Sequence, residues 1–159
     1  MNKSEAKKRM MFVQNDDYNF LSYITILTLQ YFSCTKKKQT FVDYRKIAFI
    51  ANIIFYKNKD DWNQIYYSSQ TTLKSLFSII QLLEKKGILN LESNEKMKTI
   101  DLWLNKDSIG DTFSEGNLFK YELDEIKKIH SEISRTRTLK LKTFLDRVFE
   151  QHGVMVWED

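Results

Sequence analysis

Apolar residues recur at helical intervals along most of the chain and switch to alternation in one short stretch. Phe20, Leu21, Ile24, Leu27 and Tyr31 repeat every three or four positions, which predicts a first helix from about Asp17 to Phe32 with one broad face in the core. Asp16 or Asp17 sits where an acid favours the positive end of the helix dipole. Ser33–Gln39 reads as a connector. Thr40-Phe41-Val42-Asp43 has capping-box spacing, with Asp in place of the usual Glu, and predicts a second helix opening there and running through Tyr56. Ile47, Phe49, Ile50, Ile53 and Ile54 make that helix apolar on two sides, so it should be central. Lys57–Asn63 reads as a polar turn or short extra helix, with Trp62 closing over the core edge.

Leu73, Leu76, Phe77, Ile80 and Leu83 then trace a single stripe that predicts a third helix over Thr71–Lys86, and Gly87 stands where a helix C-terminus wants a left-handed residue. Ile88–Glu92 and Thr99–Leu104 read as two strands joined by the polar Ser93–Lys98. Lys106–Asn117, with two Gly among Asp and Ser, reads as a loop. Phe119–Gln151 carries Ile126, Ile129, Ile133, Leu141, Phe144, Leu145 and Val148 at helical spacing, with a polar gap over Ser134–Thr138; one long helix or two abutting helices both fit. The expected class is mainly α with a small antiparallel β-hairpin: a winged-helix-like domain followed by a C-terminal helix or helix pair from about residue 118.

Composition supports that reading. The 159 residues are 42% hydrophobic and include eleven Phe, eight Tyr and three Trp, so a chain of this size can bury a real core, which excludes disorder away from the ends. With no Pro and four Gly, long helices are favoured over a turn-rich sandwich or barrel. Phe20–Phe32 is interrupted by polar residues and too short to cross a hydrocarbon core, so no membrane association is expected. Cys34 is the single cysteine and nothing resembles a secretory leader, which points to a reducing cytoplasm.

The net charge of +4 is unevenly placed. Lys3, Lys7, Lys8 and Arg9 against Glu5 give residues 1–10 a charge of +3, so residues 1–11 read as a basic N-terminal tail and residues 12–159 as one nearly neutral domain. Two cationic clusters remain in the body. Lys36, Lys37 and Lys38 lie in the connector, and Arg135, Arg137, Lys140 and Lys142 run without an intervening acid.

Catalytic patterns are missing from the sequence. There is no Gly-rich phosphate loop, nucleophile elbow or His-Glu-x-x-His, and His130 and His152 lie about six helical turns apart. Asp16-Asp17 and Asp60-Asp61 read as helix-start or turn devices, and His130 as a boundary residue. A non-enzymatic protein without cofactor or metal is expected. A winged helix that reads DNA would use Thr71–Lys86 for recognition and Glu92–Lys98 as its wing, with Gln70, Lys74, Lys96 and Lys98, together with Lys36–Lys38, touching the duplex. That helix has no Arg and few cations, and the neutral body favours docking to protein.

Ile24-Thr-Ile-Leu-Thr-Leu29, a Lys-rich break, and then Phe41-Val42-Asp43-Tyr44-Arg45-Lys46-Ile47-Ala48-Phe49-Ile50 resemble the opening of the small middle components of bacterial ABC three-component systems, a group that includes the small subunit of Lamassu antiphage and antiplasmid systems. Val42 takes the place of a leucine before Asp-Tyr. Leu73–Leu91 resembles that group's helix-then-strand block, and Gly116–Tyr121 its C-terminal entry, so the resemblance spans about residues 20–150. It implies a non-catalytic adaptor that links a coiled-coil ATPase of the structural-maintenance-of-chromosomes type to an effector, often a nuclease, with DNA reached through the complex. The alternative is a stand-alone winged-helix DNA-binding regulator or plasmid replication accessory. For an adaptor, Ile129, Ile133, Leu141, Phe144 and Val148 form the expected docking stripe, with Arg135, Arg137, Lys140 and Lys142 at its rim; the same stripe also suits packing on the protein's own first two helices.

Overall fold

A computed structural model describes residues 18–56, 61–105 and 119–156. The basic tail, Asp16, Asp17, Asp60, the Lys106–Asn117 loop and the first half of the Gly116–Tyr121 match lie outside the described residues. Within them are five helices and a two-stranded antiparallel hairpin, in the order α1 (Tyr18–Tyr31), α2 (Lys46–Phe55), α3 (Trp62–Lys85), β1 (Leu89–Asn94), β2 (Thr99–Leu104), α4 (Lys120–Glu132), α5 (Leu141–Phe149), and a terminal 3₁₀ turn over Glu150–His152. No described helix is long and apolar enough to cross a membrane.

The two apolar helices form the centre. Every residue of α1 from Ile24 to Leu29 is buried, and Thr25 and Thr28 are accommodated because their hydroxyls donate to the Leu21 and Ile24 carbonyls at 2.7 Å. In α2 all residues from Lys46 to Ile54 are buried. Asn52 joins α2 to α3, its Nδ2 donating to the Ala48 carbonyl at 2.8 Å and to Thr72 Oγ1 at 3.0 Å.

Two helix starts differ from the sequence expectation. The second helix begins at Lys46 rather than Thr40, because the Asp43 backbone N–H does not close a capping box; it donates to Asp101 Oδ1 at 3.0 Å. Phe41 and Leu102 exchange backbone hydrogen bonds at 2.8 and 3.0 Å, and Tyr44 N–H donates to the Ile100 carbonyl at 2.9 Å, so this stretch lies along the outer edge of β2. The third helix begins nine residues early, at Trp62, where Asp61 accepts from the Gln64 N–H at 3.0 Å. Ser69 and Thr72 do not interrupt it; their hydroxyls donate to the Ile65 and Ser68 carbonyls.

The hairpin follows as expected. Gly87, at φ +76°, ends α3 with Ile88 N–H bonding back to the Leu83 carbonyl and Gly87 N–H to that of Glu84, the paired bonds of a Schellman motif. Leu89 faces Leu104 and Leu91 faces Leu102 in the register. Trp62 packs on the core edge, 5.8 Å from the Phe149 ring, and stacks on His152 at 3.9 Å.

The C-terminal segment is two helices. Ile133 leaves α4 in an extended conformation, Arg135 takes φ +62°, and α5 starts only at Leu141. Ile129, Ile133, Leu141, Phe144 and Val148 therefore do not share one continuous face: all five are buried in the protein's own core, with Phe144 wholly inaccessible. The reading in which this stripe packs on the protein itself is the one the fold adopts, and Ile129, Ile133 and Val148 reach the surface only along the floor of a groove edged by Glu125 and Glu132.

Candidate functional site

The turn between α4 and α5, residues 133–140, is the best-anchored irregular stretch of the molecule. Lys46 Nζ, at the first residue of α2, donates to the Thr136 carbonyl at 2.5 Å and to the Arg137 carbonyl at 3.3 Å. Val42 N–H adds a 2.9 Å bond to that Arg137 carbonyl, and the Arg137 guanidinium reaches the Thr40 carbonyl at 3.0 Å. At the far end the buried Asp43 carboxylate accepts from Leu141 N–H at 3.3 Å while pairing with Arg45 through Nε and a terminal nitrogen at 2.9 and 2.8 Å. The turn is thus nailed to the α2 entry from below and holds its cations outward.

Those cations divide between two clefts. The larger, about 810 Å³, lies between the hairpin turn, the α2 entry and the start of α5; Arg45, Lys98, Lys140 and Lys142 line it, with Asp43 and Glu95 as its carboxylates. Arg45 is neutralised in part by Asp43, and Lys142 has only a loose surface pair to Asp146 at 3.8 Å. The smaller, about 450 Å³, is walled by Tyr31, Phe32, His130, Arg135 and Arg137, and no carboxylate lines it. The His130 ring stands edge-to-face with Phe32 at 5.2 Å and with Tyr31 at 5.7 Å.

Backbone conformation marks the same two places. Among the described residues, four other than glycine have φ in the left-handed region: Ser33, Asp43, Lys98 and Arg135. Asp43 and Lys98 line the larger cleft, and Ser33 and Arg135 the smaller. Holding a residue with a Cβ in that region costs about 1 kcal/mol or more, and such residues concentrate where surrounding structure fixes them for a purpose.

Lys46 is the electrostatic oddity of this framework. It is fully buried, its ammonium 4.4 Å from the Phe41 ring centroid, and burial lowers its pKa from 10.5 to about 7 although Asp43 and Asp101 pull the other way. The folded protein therefore releases this proton near neutrality, whereas the unfolded chain keeps it up to about pH 10.5. Between those values the unfolded state binds more protons, so the Lys46 contribution to stability rises with pH, by about 2 kcal/mol from pH 7 to 9, and is flat below 7. Urea titrations at pH 7 and 9 are expected to show this gain, and Lys46→Met to lose it; an equal pH response in both proteins would place the Lys46 pKa elsewhere.

The other cations expected to bind distribute unevenly. Lys98 and the Lys140–Lys142 pair come together in the larger cleft, and Arg135 and Arg137 in the smaller. Lys36, Lys37 and Lys38 are exposed on a tight turn, where Lys37 pairs with Glu92 at 3.4 Å, and Lys96 is exposed in the hairpin turn. Gln70 and Lys74 lie on α3 and line neither cleft. Sequence reasoning passed over Arg45, Tyr31 and Phe32 as site residues; the available signal was the acid-free run from Arg135 to Lys142, which supplies two of the four cations of the larger cleft and both arginines of the smaller. Cys34 is buried with its thiol pushed up to about 12 by desolvation, against the pull of Arg137 and Lys46, and is chemically inert. Among the described residues no group of three or more His, Cys, Asp or Glu is placed to hold a metal ion. No protein-family model, curated protein or solved structure matches this chain.

Proposed function

We propose that this protein is a non-catalytic winged-helix module that holds nucleic acid by its phosphate backbone, using the two basic clefts on either side of the α4–α5 turn. The winged-helix assignment is supported by the order α1, edge segment at Phe41, α2, α3, β1, β2, with the edge segment paired to β2 and the Glu95–Lys98 turn as wing. The observation that carries the functional reading is the coincidence of charge and strain: every left-handed non-glycine residue described lines a cleft, and cations of the anchored α4–α5 turn, joined by Arg45, Lys98 and Lys142, line the same clefts. The nearly neutral balance of residues 12–159 does not oppose this, because binding responds to the local potential of a cleft rather than to a summed charge.

The mechanism is electrostatic. Cations fixed at the cleft mouths neutralise phosphates and release condensed counterions, which gives affinity without sequence readout. With about four phosphates engaged, the affinity of the full chain for a 20-bp duplex should fall with salt at a log–log slope of about −3 to −4. Anisotropy titrations between 50 and 300 mM salt measure it, conditions at which about tenfold losses per doubling of salt are readily resolved. Absence of binding at the lowest salt, or binding indifferent to salt, would reject the reading.

A second reading keeps the adaptor role. A groove of about 360 Å³ floored by Ile53, Ile129, Ile133 and Val148 and edged by Glu125, Lys128 and Glu132 offers a protein partner a mixed apolar and charged surface whose lining shares no residue with the two basic clefts. In a complex of the ATPase type, the clefts would hold DNA and this groove would meet the partner subunit. Co-purification with such an ATPase, lost when Glu125 and Glu132 become Lys, supports it.

A further inference from the structure

We infer that the smaller cleft accepts an unpaired nucleobase, so that the preferred ligand is single-stranded nucleic acid or a duplex with a frayed or unpaired end. This rests on the phosphate-binding reading above and adds to it. A cleft that only balanced phosphate charge needs cations; this one is also walled by three aromatic rings, Tyr31, Phe32 and His130, with Arg135 and Arg137 beside them. Aromatic faces and guanidinium planes are the two surfaces on which bases stack irrespective of sequence. At about 450 Å³ the cleft is in the size range of small-molecule pockets, room for one base with its sugar.

The position relative to the larger cleft completes the argument. Thr138 lines the smaller cleft and Lys140 the larger, so only Leu139 separates the two linings along the chain. A strand whose phosphates follow Lys140, Lys142 and Lys98 is delivered to the aromatic wall at its end. Arg137 cannot swing away, because its guanidinium is held on the Thr40 carbonyl and its own carbonyl by Val42 and Lys46. Arg135, fixed in the left-handed region, is exposed at the mouth. Among the described residues no carboxylate stands in the lining to repel a nucleotide.

The test compares a 20-nucleotide oligo-dT with a 20-bp blunt duplex as anisotropy probes for the full chain. His130 is exposed, so His130→Ala leaves the fold intact; it is expected to weaken oligo-dT binding about tenfold, the loss of one stacked base, while duplex binding changes less than about twofold. Tyr31→Leu, which keeps an apolar packing group, should do the same. A 2-aminopurine placed within the oligonucleotide should be quenched by the wild type and not by His130→Ala. If the duplex binds and His130→Ala affects both probes equally or neither, the base site is rejected while the backbone reading stands. If the wild type binds neither probe, the backbone reading itself fails. Competition by a poly-glutamate peptide as effective as by unlabelled oligo-dT would also overturn base recognition, since it shows that charge alone fills the cleft.

Discussion

Replacing Lys98, Lys140 and Lys142 together by Glu is expected to weaken duplex binding by about 100-fold or more near 0.1 M salt and to flatten the salt dependence by roughly one unit of slope for each phosphate no longer engaged. All three side chains are exposed, and the ion pair they make among the described residues, Lys142 to Asp146, is a surface pair worth well under about 1 kcal/mol, so the fold should survive. Glu at position 140, just ahead of α5, even complements the helix dipole. The contrast is the N-terminal tail. Removing the cations Lys3, Lys7, Lys8 and Arg9 by substitution with Ala should cost less than about tenfold, because the account places the engaged phosphates in the two clefts. The reverse order of effects would assign binding to the tail, as the uneven charge along the sequence suggests, and leave the clefts without a role.

The second large effect is on stability. Asp43→Ala should destabilise the protein by about 3 to 4 kcal/mol in urea unfolding, since the buried carboxylate accepts from the Arg45 backbone and guanidinium and from Leu141 N–H, and since Ala at φ +64° adds its own penalty. Asp43→Asn keeps an acceptor and tolerates the left-handed conformation, so about half of that loss is expected. Asp43 thereby ties four pieces at one point: the edge segment, α2, β2 through Asp101, and the start of α5. A loss below about 1 kcal/mol for the Ala variant would mean that Lys46, Val42 and Arg137 hold the α4–α5 turn without Asp43 and that the clefts are not braced as described.

Local patterns carried α1, β2 and the Gly87 turn from the sequence almost residue for residue, because each is decided by neighbours within about seven positions. The Thr40–Asp43 box failed for the opposite reason. Its spacing suits a helix start, yet the Asp43 N–H found Asp101, 58 residues away, a better acceptor for a buried donor. Periodicity in the C-terminal segment identified the apolar positions correctly and said nothing about what would cover them. The break falls in the polar Ser134–Thr138 gap that the sequence shows, but the left-handed turn at Arg135 was hidden, since such a residue is ordinarily announced by Gly or Asn and here none stands. The larger cleft gathers Arg45, Lys98 and Lys140 from three separate elements, a convergence that exists only after folding; the run from Arg135 to Lys142 was visible but read as the rim of a docking helix.

Nuclear magnetic resonance mapping of backbone amides during titration with a 20-bp duplex tests the central claim most directly. The account predicts that the amides perturbed at substoichiometric DNA cluster at Tyr44–Arg45, Asn94–Lys98 and Arg135–Lys142, the segments that carry the cations lining the two clefts. Perturbations confined instead to the exposed face of α3 around Thr71, Lys74 and Ser78, with the α4–α5 turn unmoved, would contradict it and return recognition to that helix.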